Sequence, residues 1–205
     1  MEKKKFSTKQ FVEMALLTAI IVLLAFTPIG YIRTLGLEIT LIVVPVTVGA
    51  VTLGPTAGAV LGAVFGITSF IQCFGMSPFG AVLLGINPLS TFVVCVVSRD
   101  LMGWLTGLIY KGLQKATSVR RNSVVIANFC GPLLNTFFFM GTLILLFYGS
   151  DYIQGLAESM GASGPLAFVI AFVGINGAVE AVVCFIVGSA VSKALLTVNR
   201  VNSAP

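Results

Sequence analysis

Arg99, Asn135, Asn176 and Glu180 are polar residues set inside long apolar runs. An ionisable side chain in hydrocarbon costs about 3 kcal/mol or more, and tends to face a cavity or a partner. Arginine forks onto a carboxylate or phosphate, and an asparagine amide both donates and accepts. Together these types suit the binding of a small polar molecule. Asn176 stands one helical turn before Glu180 and shares its face. Asn128 lies two turns before Asn135, with Pro132 between them. Asp100 follows Arg99 but points about 100° away round a helix. In the competing reading, Arg99, Asp100 and Glu180 neutralise one another as structural glue.

Other chemistries lack their residues. The chain has no histidine, and its four cysteines (Cys73, Cys95, Cys130 and Cys184) are far apart in sequence with no CxxC. Neither a zinc site nor a His-dependent triad is expected, no metal or cofactor is implied, and the cysteines read as packing residues. No GxxxxGK[ST] sequence occurs, so any ATP-driven step needs a partner as motor. An intramembrane enzyme using Asp100 and Glu180 as acid and base lacks a second supporting motif. A channel or self-sufficient carrier lacks a visible repeat of its first half in its second.

The elements that hold these residues are membrane helices. Of 205 residues, 57% are hydrophobic and 9% charged, against about a quarter charged in soluble domains. A span needs about 20 apolar residues, and the pattern predicts six: about Phe11–Pro28, Ile39–Leu53, Pro55–Ile71, Pro88–Gly112, Ser123–Tyr148 and Leu166–Leu195. The second and third are short and joined by a tight turn at Gly54-Pro55. Residues 1–9 are basic, and the apolar run after them reads as a permanent first helix rather than a cleaved leader. Arg99 is about eleven residues into its helix, or about 17 Å, and Asn135 and Glu180 reach similar depth.

Six spans place both termini on one side. Lys3, Lys4, Lys5, Lys9, Lys111, Lys115, Arg120, Arg121, Lys193 and Arg200 fall on that side, and Arg33 alone on the other. This asymmetry makes both termini cytoplasmic. The expectation is an all-α integral membrane protein, one domain over 1–205, with 1–10 and 196–205 cytoplasmic. The net charge of +5 sits in short clusters between spans, so nucleic acid is not an expected partner.

Small residues recur at four-residue spacing: Ala15 and Ala19, then Gly58, Gly62 and Gly66, then Gly103 and Gly107. Such stripes let helices approach closely in lipid; for the glycines, packing within the bundle is the simplest use. Gln72–Pro88, interrupted by glycine and proline, reads as an external lid or re-entrant loop, with Asn87 at the mouth of the Arg99 helix. Tyr31, in the first external loop, reaches the same mouth.

The runs VPVTVGAVTLGPTAGAVLGAVFG (Val44–Gly66) and SPFGAVLLGINPLSTFVVCVVSRDLMGWLTGLIYKGL (Ser77–Leu113) resemble the substrate-binding S-components of energy-coupling factor vitamin transporters. The resemblance extends from Ala15 to about Leu195. It implies a six-helix bundle in a bacterial cell membrane, an external vitamin site built from later helices and loops, and partners: a transmembrane coupling subunit and two cytosolic ATPases. It also implies that Ala15 and Ala19 dock the coupling subunit and that the whole bundle topples to carry its vitamin inward. The GINP and SR residues around Arg99, with Asn176 and Glu180, look most like pantothenate-type members; riboflavin or a pyridoxine-type ligand stays open.

Overall fold

The computed structural model describes residues 7–27, 30–34, 37–116 and 122–201, and the side chains of all of these but 31–39, 175–176 and 199–201. The first helix, α1 (Thr8–Phe26), starts where Ser-x-x-Gln supplies a reciprocal cap. The Gln10 amide donates to Ser7 Oγ at 3.3 Å, and the Ser7 amide donates to Gln10 Oε1 at 3.0 Å. An antiparallel hairpin follows, β1 (Tyr31–Thr34) and β2 (Leu37–Thr40), with Tyr31 opposite Thr40 and Arg33 opposite Glu38.

The hairpin corrects the second predicted span. Ile39 and Thr40 belong to β2, and only α2 (Val43–Thr52) is helical. Its ten residues cover about 15 Å, half a bilayer core. Because α2 is apolar all round, it is buried all round, with Val46, Val48 and Ala50 sealed inside. Gly54, at φ 102°, turns the chain, and Pro55 opens α3 (Pro55–Gln72). The loop expected at 72–88 contains a helix, α4 (Pro78–Ile86), capped by Ser77. Then α5 (Pro88–Phe92) runs through a π-turn (Val93–Val97) into α6 (Ser98–Lys115). Next come α7 (Ser123–Phe147) and a short helix, α8 (Asp151–Ser159).

The last predicted span is divided. In α9 (Pro165–Val183), Gly174 adopts φ 44° and ψ −137°, a conformation that side chains with a Cβ resist. The apolar run therefore splits into Pro165–Gly174 and a spanning piece, Gly177–Val198, which passes through a second π-turn (Cys184–Gly188) into α10 (Ser189–Val201). Among the described residues, five helices are long and apolar enough to cross a membrane, rather than the six expected.

The glycine stripes form one seam. A methyl group on Gly58 would strike the Gly103 carbonyl, and one on Gly62 the Arg99 carbonyl. Gly66 fits against Cys95 and Val96, and Gly107 against Pro55, so α3 and α6 run antiparallel with backbones nearly touching. Lipid tails are as apolar as leucine, so close packing of this kind holds membrane helices together where water exclusion does not. The chain continues up and down. Ser98 and Thr142 hydroxyls meet at 2.9 Å and Gln114 donates to Ser123 at 2.6 Å, pairing α6 with α7. Asn128 donates to Ser192 at 3.2 Å, pairing α7 with α10. Alternation puts Lys9, Lys111, Lys115 and Lys193 at one end of the bundle, with the hairpin, α4 and α8 at the other.

The seam makes a direct prediction. Gly62→Leu should destabilise the protein by about 3 kcal/mol or prevent folding, because backbone cannot yield as a side chain can. Gly85→Ala meets open space and should stay within about 0.5 kcal/mol of the parent. Thermal unfolding in detergent separates the two.

Candidate functional site

At the end away from the basic residues, a cavity of about 500 Å³ opens among α3, α4, α6, α7, α8 and α9. This is the usual size range for small-molecule sites, about 300–1,000 Å³. It lies between two apolar clusters. One includes Ile42, Leu61 and Phe65 from α2 and α3; the other ties Leu83 of α4 and Ile153 of α8 to Met140, Phe168 and Phe172.

Arg99 is buried in its wall. The seam fixes its backbone, and the π-turn just before it supplies carbonyls. One terminal guanidinium nitrogen donates to Val94 O at 3.3 Å and Cys95 O at 3.1 Å. The guanidinium carbon stands 4.6 Å from the ring centre of Phe65 and 5.0 Å from that of Phe139. Its Nε, although buried, has no hydrogen-bond partner among the described residues. Among the described residues no carboxylate is in ion-pair contact with Arg99, so the glue reading with Asp100 is not what the side chains adopt. Asp100 is absent from the cavity wall.

Across the cavity, Asn135 Nδ2 donates to Glu180 Oε1 at 3.3 Å, joining α7 to α9. Glu180 Oε2 accepts from the Thr40 backbone amide at 3.5 Å, which ties the hairpin to α9. Asn135 Oδ1 is buried, with no hydrogen-bond partner among the described residues. Arg99, Asn135 and Glu180 thus share one cavity wall. Aromatic rings close the space above: Phe79 of α4 lies 6.0 Å from Tyr152 of α8 and 5.4 Å from Phe172 of α9.

Arg99, Asn135 and Glu180 thus converge as their sequence depth suggests. Two other residues go elsewhere. Asn87 is a helix cap whose side chain accepts from the Ser90 amide at 3.0 Å, and it does not line the cavity. Asn128 is sealed between α7 and α10, donating to Val124 O at 2.8 Å and to Ser192. The side chains of Asn176 and Tyr31 lie outside the described residues. Ala15 and Ala19 are exposed along α1. Sequence reasoning missed Thr40, whose contribution is a backbone amide, and Phe79 and Tyr152, which ride on short helices inside apparent loops. It also missed Gln72, which lines the cavity and donates to the Ala25 carbonyl, holding the end of α1 to α3. A glutamine closing an apolar helix was the available signal.

Known proteins bear on this arrangement. Residues 9–192 match the family described as ECF transporter, substrate-specific component. The chain is also 31% identical over 175 residues to the pantothenic acid transporter PanT of Lactococcus lactis subsp. cremoris, covering 80% of each protein.

The Asn135–Glu180 contact is open to a double-mutant cycle. An interhelical hydrogen bond in a membrane contributes about 0.6–2 kcal/mol. Asn135→Ala, Glu180→Ala and the double variant, followed by unfolding in detergent, should give a coupling in that range. Strict additivity would contradict the contact.

Proposed function

We propose that this chain, which belongs to the family of ECF transporter substrate-specific components, captures pantothenate from outside the cell and delivers it inward with partner subunits. The observation that carries the reading is the convergence of Arg99, Asn135 and Glu180 on the wall of one cavity. Pantothenate has a carboxylate at one end, an amide in the middle and hydroxyls at the other. The carboxylate suits Arg99, and the hydroxyl and amide protons suit Asn135 and Glu180. The similarity to a pantothenic acid transporter supports the same ligand.

Magnitudes favour an anion at Arg99. Its two carbonyl contacts contribute about 1.5–3 kcal/mol each and the ring contacts about 0.5–2. These offset burial, and a ligand carboxylate adds the direct ion-pair contact that no described side chain makes. The aromatic arch of Phe79, Tyr152 and Phe172 supports one rival, a ring-bearing ligand such as riboflavin or a pyridoxine-type vitamin.

Residues 1–205 act as one membrane domain, with 1–10 and 196–205 on the cytoplasmic side of a bacterial cell membrane. The separation of Lys9, Lys111, Lys115 and Lys193 from the cavity end supports an outward-facing mouth. Ala15 and Ala19, exposed on α1, form a shallow strip for a transmembrane coupling subunit, and ATP is hydrolysed by two cytosolic ATPases bound to it.

Isothermal titration of the purified chain should show pantothenate binding without ATP, with riboflavin and pyridoxine failing to compete. Arg99→Ala should weaken that binding about ten- to a hundredfold; unchanged affinity would remove Arg99 from the site. Ala15→Leu with Ala19→Leu should stop uptake in cells that also express the coupling subunit and ATPases, while titration of the purified variant still shows binding. Loss of binding in that variant would mean the pair serves internal packing.

A further inference from the structure

The two cysteines nearest the cavity are far apart in sequence and adjacent in space. Cys73 Sγ and Cys95 Sγ lie 3.9 Å apart, and both side chains are buried. Cys73 caps the C-terminus of α3 and lines the cavity. Cys95 lies in the π-turn ahead of Arg99, and its carbonyl is one of the two that hold the guanidinium. Neither sulfur sits in regular helix. After Cys73 the chain leaves α3 and turns at Gly75, φ 126°. A π-turn carries one extra residue in its ring and is frequent at functional sites. Cys130 and Cys184, the other two thiols, have no sulfur neighbour among the described residues.

We propose that Cys73 and Cys95 form a peroxide-sensitive dithiol whose closure to a disulfide withdraws the carbonyls that hold Arg99, and so lowers the cavity's affinity for its carboxylate ligand. The effect on affinity rests on the reading of Arg99 as the ligand's anion partner; the disulfide itself does not. A small neutral peroxide is the oxidant. One of the two sulfurs, as its thiolate, attacks one peroxide oxygen, the O–O bond breaks, and the leaving hydroxide takes up the thiol's proton and departs as water, leaving that cysteine as the sulfenic acid. The other sulfur then attacks it, the S–O bond breaks, a second water leaves, and the S–S bond forms. Two thiols lose two protons and two electrons, and the peroxide takes up both pairs. Closure brings the sulfurs from 3.9 Å to about 2.05 Å. The movement falls on the end of α3 and on the Cys95 side of the π-turn, where it works against the contact of Gly66 with Cys95 and Val96. A π-turn drawn toward Cys73 no longer presents the Val94 and Cys95 carbonyls to Arg99. A thiol reductant reverses the step.

The test treats the purified full chain in detergent with hydrogen peroxide, and reads intact mass, a peptide map and pantothenate titration on the same sample. The expected result is loss of two hydrogen atoms, one peptide linking Cys73 to Cys95, affinity lowered about tenfold or more, and recovery with dithiothreitol. The variant carrying Cys73→Ser and Cys95→Ser should show no peroxide-dependent change in mass or affinity. Absence of the linked peptide would overturn the dithiol. A linked protein with unchanged affinity would overturn its connection to Arg99. If untreated protein takes up no pantothenate, the reading of the site fails instead, while the mass and peptide map still report on the cysteines alone.

Discussion

The buried guanidinium of Arg99 is the constraint on which the rest of the structure depends. A cation at this depth is tolerated only where protein replaces the water it has lost. Here the replacements are two carbonyls, two aromatic faces and a cavity, with no carboxylate in ion-pair contact among the described residues. Each comes from a different place. The carbonyls belong to the preceding π-turn, Phe65 to α3, and Phe139 to α7. The α3–α6 seam sets the distance between Phe65 and Arg99, because Gly62 allows α3 to rest directly on the Arg99 carbonyl. The first half of the chain thus acts on the site through packing as well as through polar groups of its own, Arg99 and Gln72 among them.

Regular helix satisfies its own backbone, so it has little to offer a ligand or a buried side chain. The departures from regularity stand close in sequence to residues that line the cavity. One π-turn precedes Arg99, another follows Glu180, and Gly174 interrupts α9 two residues after Phe172. Irregular backbone at membrane depth is stable only when it is buried in protein or lines a cavity, and π-turns are frequent at functional positions. The hairpin extends this pattern: the Thr40 amide, at the end of β2, has Glu180 as its acceptor. The cavity is closed by short, well-capped helices, α4 and α8, docked through Leu83, Ile153 and the Phe79–Tyr152 contact.

What was legible in the sequence follows from cost. Arg99 and Glu180 stood out because charge inside an apolar run demands a reason, and the glycine stripes because only close backbone approach explains them. Asn87 and Asn128 lie away from the cavity because an amide is as readily used by a helix cap or a neighbouring helix as by a ligand. The shortness of α2 was hidden because an apolar strand followed by an apolar helix reads like one span. Gly174 looked like any other glycine in a membrane helix, since nothing in the residues around it marks its positive φ. The Cys73–Cys95 approach was illegible for the same reason, because it is made by the seam rather than by spacing.

The most direct measurement is an experimental structure of the purified chain with pantothenate bound. The carboxylate should lie within hydrogen-bond distance of the Arg99 guanidinium, with the hydroxyl end toward Asn135 and Glu180 and the aromatic arch closed above. Pantothenate bound outside this cavity, or inside it with its carboxylate away from Arg99, would contradict that assignment.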